Sequence, residues 1–540
     1  MLRQEDVIKE IIHCAGERDI IKAKVILREV PHLEKKTVQR VFYEIIASDP
    51  AFCIPLMTYM LTQLPNVAGL FPELHEALLD RISKLDDIQK CFNKLQTVDE
   101  IAYFIETLSE RDDEKVIDFL KNLLRTYTEK DLLVSTLKTM GEIKDKSFAA
   151  VVSDFLYADD LEVICEAVNT LGCCITPLAV NALYARAGAN KDVDKAIIKA
   201  LASGEIPEAL DAMAKFLGSR QASLRNYARL ALTRLREKAV PSLLKLLDEA
   251  TESDLIILCL NTLGETGSSE AVKPVRRFIQ TMPENPNVRF AAYEALGLLP
   301  VRKGAYTLTG GLIDPDEMVR TAAAKAVDHL FDDFFEVGLN NLLTHEENPY
   351  LIVDALLTAE CDKTYRSLIK STDFKEHSKK YFKENKSDEL IRHYLEITDD
   401  ESFKKYLKTL IGKTFVETAH DICVVDDSKL LLRIYRKMLA PTGLSFELFE
   451  HAEAALEYVK NHKPSLVLTD LNMPQMDGHQ FSREIRKIYA SEELPIVMVT
   501  TQEEGELKDS FGESGIQEYL IKPFTETMLS KVIKGYIKKT

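Results

Sequence analysis

The chain has 540 residues, a length that the usual prior divides into three or four domains. Asp and Glu (86) outnumber Lys and Arg (69), and the formal charge of −17 argues against a nucleic-acid binder, which carries a basic face toward phosphates. The 46% hydrophobic content is ample for a packed core.

The first residues, MLRQEDVIKEIIHC, place acids among apolar side chains and lack the unbroken apolar run of a signal peptide. Apolar stretches such as Leu255–Leu260 fall far short of the roughly 18 residues a membrane span needs. Nine cysteines (14, 53, 91, 165, 173, 174, 259, 361 and 423) form an odd set without a C-x-x-C pair. They read as packing residues of a reducing compartment, so the expectation is a soluble cytoplasmic protein without a membrane span.

Residues 1–130 carry helical apolar stripes at Val7–Ile12, Ile20–Val30 and Val38–Ile46, punctuated further on by Pro50, Pro55, Pro65 and Pro72. This region is expected to be diverged repeats or a helical cap. From 131 to 410 one phrase recurs, ending at Gly141, Gly172, Gly264 and Gly297, with weaker copies at Gly204, Arg236 and Asp328. The spacing is 31 from Gly141 to Gly172 and 33 from Gly264 to Gly297. A second landmark keeps step: Arg289 and Arg320 lie 31 apart, and Arg225 stands two repeats before Arg289.

A period of about 31 residues fits two helices and two turns. Such a hairpin cannot bury its apolar face alone, so neighbours must stack. Ala291, Ala292 and Ala295 permit close helix approach. Gly297 is read as the left-handed residue ending a helix. Asp314, Asp316 and Asn287 are read as helix caps. The pattern, clearest over Leu132–Leu330, resembles HEAT-like repeats, in particular the short variety also seen in phycobilisome-lyase-type proteins. The charged run Lys375–Lys386 reads as a solvated face. Residues 411–420 make a short linker, broken only by Gly412.

From 421 to 540 short apolar runs alternate with helical stretches, the pattern of a doubly wound parallel sheet. Strands are expected at Ile422–Val425, Ser445–Phe449, Leu466–Thr469, Ile496–Val499 and Tyr519–Ile521. Helices are expected at Lys429–Leu439, Ala452–Asn461, His479–Tyr489, Glu506–Glu513 and Thr525–Lys538. The strand ends carry Asp426-Asp427, Asp470, Thr500 and Lys522, at the carboxyl edge where such folds bind ligands. Three carboxylates make a hard oxygen site suited to Mg²⁺. A lysine and a hydroxyl hold phosphoryl oxygens, and a carboxylate can accept a phosphoryl group. Taken singly these residues are ambiguous: Asp426-Asp427 also fits a helix cap, Lys522 an exposed lysine, Tyr519 ordinary strand packing.

Together, the acid pair, Leu-Asn-Met-Pro-Gln-Met-Asp-Gly at 471–478, the strand ending in Thr500 and Lys522-Pro523-Phe524 resemble the receiver domain of two-component response regulators. The resemblance implies an all-α HEAT-like solenoid followed by an α/β flavodoxin-like (βα)5 receiver. It makes Asp470 the phosphoacceptor and gives Mg²⁺ to Asp426, Asp427, Asp470 and the Asn472 backbone carbonyl. It makes Thr500 and Tyr519 the switch pair and Lys522 the phosphate-binding lysine, and puts a cis peptide before Pro523. Thr501 departs from the small residue common there, and Gln502 follows it.

The implied partner is a histidine kinase or phosphotransfer protein, with a further protein as the unknown target of the array and no nucleic acid. No metal-ligand cluster involves His451 or His462, and neither Gly-rich phosphate loop nor Ser-His-Asp motif occurs. The expectation is therefore a phosphorylation-gated scaffold rather than an enzyme. Two alternatives stand beside it: a repeat-array enzyme (a chromophore lyase or DNA-glycosylase-like) regulated by the receiver, or a receiver that only buffers phosphate flow. The acidity divides as −13 over residues 1–420 and −4 over 421–540, which weighs against the glycosylase, as does the absence of tryptophan.

Overall fold

A computed structural model describes residues 4–411, 421–500 and 515–537, except 70, 86, 112, 205, 302–304 and 386–387. The linker residues 412–420, Thr501, Gln502 and the expected helix Glu506–Glu513 lie outside the described residues. The chain packs as two compact units, Met1–Ala212 and Met213–Thr540. Among the described residues no helix is long and apolar enough to cross a membrane.

In the first unit, alternate helices stack on one another. Three carry the repeat phrase: α1 (Lys130–Ile143), α2 (Leu161–Cys173) and α3 (Lys191–Ser203). The starts of α2 and α3 are set by side chains that satisfy orphan amides: Asp160 accepts from Glu162 N and Val163 N, and Asn190 from Asp192 N and Val193 N. Nearer the N-terminus, Lys24 and Glu100 form a buried ion pair at 2.8 Å. Glu100 also accepts the Gln96 amide, so the pair is hydrogen-bonded as well as charge-matched.

The second unit continues the alternation through α4 (Ala222–Leu235), α5 (Ser253–Glu265), α6 (Pro286–Leu298), α7 (Glu317–His329) and α8 (Pro349–Thr358). The phrase glycines are not the left-handed helix ends expected for Gly297. Gly141, Gly172, Gly264 and Gly297 all lie inside helices, and none has a positive φ. Their value is contact distance. A Cβ on Gly264 would sit 2.7 Å from Ala295 Cα, and one on Gly297 would sit 2.7 Å from Ala326 Cβ. Glycine on one helix thus faces alanine on the next but one, which sets the repeat-to-repeat approach.

The caps also need correction. Asp316 caps α7 as expected, accepting from Met318 N and Val319 N. Asn285, not Asn287, caps α6. Asp314 instead accepts a two-pronged bond from Arg289, 2.8 Å from Nε and 2.9 Å from Nη2. The recurring arginines share one local contact. Arg225, Arg289 and Arg320 each donate Nη1 to the carbonyls six and five residues earlier. This clamps the turn entering each helix.

The rest of the second unit is the expected parallel sheet, in the order β2-β1-β3-β4-β5. Its strands are β1 (Ile422–Val425), β2 (Phe446–Phe449), β3 (Leu466–Asp470), β4 (Ile496–Thr500) and β5 (Glu518–Ile521). The described helices are α9 (Lys429–Leu439), α10 (Ala452–Asn461), α11 (Gly478–Arg486) and α12 (Glu526–Tyr536). Every position of β1, β3 and β4 is buried, as near-continuous apolar runs require when both faces are covered.

Alternate strand residues feed two cores. Ile422, Val424, Leu466 and Val499 pack with Tyr435 and Leu529 on one face. Cys423, Val425 and Val467 pack with Leu456 and Phe481 on the other. Two array residues, Met318 and Phe290, join the first core, so the array packs directly on this domain. Charge reinforces the contact: Lys437 on α9 meets Glu317 at 2.5 Å and Asp354 at 2.9 Å. Burial opposes the Lys437 charge, but Asp354 and Glu317 outweigh it and raise its pKa. Arg433 and Arg436 both reach Glu360, at 3.0 and 3.2 Å.

Most cysteines are buried thiols without disulfides, as expected, although Cys173 is exposed.

Gly297→Ala and Gly264→Ala are expected to destabilise the second unit by about 1–3 kcal/mol each, because backbone must shift to admit a Cβ. Gly338→Ala, in the helix Asp333–His345 with nothing within 4 Å of the new Cβ, should stabilise by about 0.5–1 kcal/mol. Denaturant unfolding followed by circular dichroism checks both; equal effects at the three glycines would contradict the close-approach role.

Candidate functional site

The chemistry-bearing residues converge because three parallel strands end at the same level. β1 delivers Asp426 and Asp427 just past Val425, β3 ends in Asp470, and the chain leaving β5 carries Lys522. The Lys522 ammonium joins two of the acids, 2.6 Å from Asp470 Oδ1 and 2.9 Å from Asp426 Oδ2. Both Asp426 and Lys522 are buried. Asp426 Oδ1 accepts the Ser428 amide at 2.9 Å, and Asp470 Oδ2 accepts the Asn472 amide at 2.8 Å. The Lys522–Pro523 bond is cis.

Gly478 closes the loop after β3, its amide donating to Leu471 O at 2.9 Å. A side chain there would run into the Asp470 carbonyl, which gives a steric reason for the Asp-Gly ending of the motif.

Electrostatics follow from crowding. Burial raises the Asp426 carboxyl and Asp470 adds to this, while Lys522 opposes it. Asp427, exposed but ringed by protein, is raised to about 7 by desolvation and then by Asp426 and Asp470. Desolvation works against the Lys522 ammonium, yet Asp426 and Asp470 raise its pKa well above the ordinary value.

The acids open into a cavity of about 230 Å³. Asp426, Asp427, Asp470, Asn472 and Lys522 line it from the sheet side. The array lines the opposite wall with Arg225, Arg229, Asn287 and Glu294, among others. Two hydrogen bonds tie the walls together. Arg225 Nη2 donates to Asn472 Oδ1 at 3.2 Å, and Asn287 Nδ2 donates to the Lys522 carbonyl at 2.7 Å. The charge of Arg229 also acts across the cavity, drawing the Asp427 pKa down. Glu294 is raised to about 8 by burial, then by the charges of Asp426 and Asp427.

Thr500 and Tyr519 are not on the cavity wall. Thr500 is buried at the end of β4, and its carbonyl accepts the Lys522 amide at 2.7 Å. Tyr519 packs with Leu471, Met498 and Ile516. The array residues of the site escaped sequence reasoning. Arg225 was legible only as a repeat landmark and Asn287 only as a cap, because nothing local links either to a strand end some 235–247 positions away.

As they stand, no three carboxylate, His or Cys side chains among the described residues are grouped closely enough to hold a metal ion. The donor set nonetheless fits a hard divalent cation: hard carboxylate oxygens at one strand edge, two of them raised by desolvation and mutual repulsion that added positive charge relieves.

Because Asp427 is held in a raised state, its ionisation costs stability as pH rises from about 4 to about 7. Asp427→Asn is expected to raise the melting temperature by a few degrees, corresponding to about 1 kcal/mol once solvent exposure is discounted. The gain should be full above pH 7 and vanish toward pH 4. A pH series of thermal melts without divalent cations tests this; no gain at pH 8 would contradict it.

Comparison with known proteins agrees with this geometry. Residues 422–534 match the response regulator receiver domain, and residues 240–328 match HEAT repeats. The sensor histidine kinase CheAY of Helicobacter pylori is 34% identical over 119 residues, 22% of this chain and 15% of that protein. A chemotaxis protein CheY homolog of Campylobacter jejuni is 32% identical over 118 residues, 91% of its length. The chain spans about half, 51%, of the mycobacterial response regulator MprA, at 29% identity. Among solved structures, Vibrio cholerae CheY4 is 26% identical over 22% of this chain and 100% of that one, with a TM-score of 0.20. Through the domain built on strands β1–β5 the chain belongs to the response regulator receiver family, joined here to HEAT repeats.

Proposed function

We propose that the chain is a cytoplasmic response regulator that accepts a phosphoryl group on Asp470 from the phosphohistidine of a histidine kinase or phosphotransfer protein. The observation that carries this reading is Asp470 at the cavity edge, 2.6 Å from Lys522, with Asp426 and Asp427 beside it.

In the transfer, an Asp470 carboxylate oxygen attacks phosphorus. The P–N bond to the donor imidazole breaks, and its electron pair stays on the ring nitrogen. The product is an acyl phosphate. Lys522 already holds one Asp470 oxygen and lies where it can follow the phosphoryl oxygens. A Mg²⁺ ion held by Asp426, Asp427, Asp470 and the Asn472 carbonyl would supply positive charge against the repulsion between carboxylates and phosphoryl oxygens. Phosphorylation replaces the single carboxylate charge of Asp470 with a phosphoryl group of about −2, a net gain of about −1, and moves that charge outward onto three phosphoryl oxygens. Thr500, at the end of the strand next to β3, would be the switch hydroxyl, and Tyr519, paired with Met498, the side chain that repacks with it.

The HEAT array is then the output, a scaffold that presents helices to a protein target according to the state of Asp470. On this reading the chain catalyses no reaction beyond its own phosphorylation chemistry.

Acetyl phosphate with Mg²⁺ should label the protein at one site, and Asp470→Asn or excess EDTA should lower labelling by at least about 100-fold, two decades being ~2.7 kcal/mol in the barrier. Mass spectrometry after borohydride reduction locates the site. Labelling that survives Asp470→Asn would refute the assignment.

A further inference from the structure

The repeat arginines permit an internal comparison. Arg225 and Arg289 make the same turn clamp through Nη1. Arg289 spends the rest of its guanidinium on Asp314, 25 residues on, and the hydrogen bond to that carboxylate raises its pKa. In the register of Arg225 the corresponding position is Ala250. Among the described residues Arg225 accordingly makes no ion pair within its own repeat. Its Nη2 turns to the Asn472 side chain, and the Asn472 amide in turn holds Asp470. Burial lowers the Arg225 pKa, with Asp477 and Asp254 pulling the other way, so this cation is desolvated without a carboxylate bonded to it.

One turn along α4, Arg229 faces the same cavity, where it is bonded to Glu265 and Asn226. The cavity of about 230 Å³ between Arg225 and Asp470 exceeds the share of several water molecules, ~30 Å³ each, and admits a phosphoryl group.

We infer that Arg225, supplied by the HEAT array, is a phosphoryl-binding residue of the receiver site: when Asp470 is phosphorylated, the Arg225 fork leaves Asn472 and pairs with phosphoryl oxygens across the cavity. The phosphoryl group is therefore read by the array directly, and phosphorylation tightens α4 on the receiver rather than releasing it. A planar guanidinium with two parallel donors suits this role better than an ammonium. This inference rests on the phosphoacceptor reading of Asp470.

The test uses the full chain with beryllium fluoride and Mg²⁺ as the phosphoryl mimic. Binding is measured by ¹⁹F NMR titration, and hydrogen exchange is followed over Ala222–Leu235. Wild type should bind the mimic and gain protection over that helix. Arg225→Ala should weaken binding at least tenfold and abolish the gain. Arg289→Ala removes the same turn clamp, and with it the Arg289–Asp314 pair, but no bond to the receiver, and it should leave both readouts within twofold of wild type. If Arg225→Ala does not fold, Arg225→Lys, which keeps a charge but loses the fork, gives the same measurement, with at least threefold weakening expected.

Binding by Arg225 variants within twofold of wild type overturns the inference, as does equal weakening by Arg289→Ala. Acetyl phosphate labelling of wild type separates the two levels. Labelled Asp470 with unchanged Arg225 variants removes only the role of Arg225, whereas no labelling removes the phosphoacceptor reading and the inference with it.

Discussion

The structure turns on the crowding of carboxylates at one sheet edge. Parallel strands that end level with one another bring Asp426, Asp427 and Asp470 together, and burial makes their shared charge costly. One ammonium, Lys522, bridges two of the three. The site is therefore electrostatically unsatisfied in a directed way. It favours added positive charge near Asp427, and it holds Asp470 in a fixed orientation by Lys522 on one oxygen and the Asn472 amide on the other. Such a site gives up stability for reactivity, as functional sites commonly do.

The array bears on that edge through its own spacing rule. Glycine facing alanine brings α5, α6 and α7 close together. This places Asn287, Glu294 and Met318 within reach of a single neighbouring domain. The contact is mixed: Met318 and Phe290 enter the sheet's apolar core, Lys437 pairs with Glu317 and Asp354, and Asn287 bonds the Lys522 backbone. Short polar contacts, Arg225 with Asn472 and Asn287 with the Lys522 carbonyl, thus join the array to the edge that carries Asp470.

The receiver was legible almost residue by residue. Three of its strands, β1, β3 and β4, are near-continuous apolar runs, and its helices have strong one-sided periodicity. The expected bounds of β1, α9 and α10 agree with those observed, and the other described elements differ by at most three residues at an end. The array was legible as a period but not in its detail. Gly297 and its equivalents have the composition of helix ends, yet they are helix interiors, because a residue without a Cβ serves close approach as well as a left-handed turn. Asn287 and Asp314 have the composition of caps, yet Asn285 and Asp316 hold the cap positions. The two displaced polar side chains are used for tertiary hydrogen bonds instead.

The sequence by itself determined the alternation of strands and helices, the repeat period and the set of acids, lysine and hydroxyl at the strand ends. Each of these depends on local periodicity or on a motif read within one strand-loop unit. Tertiary structure alone decided that the array forms the opposite wall of the acid cavity and that Arg225 is the repeat arginine bonded to Asn472. Those facts depend on pairs more than two hundred residues apart, such as Arg225 with Asn472. No short-range pattern encodes such a pair, because packing of the intervening helices brings its members together.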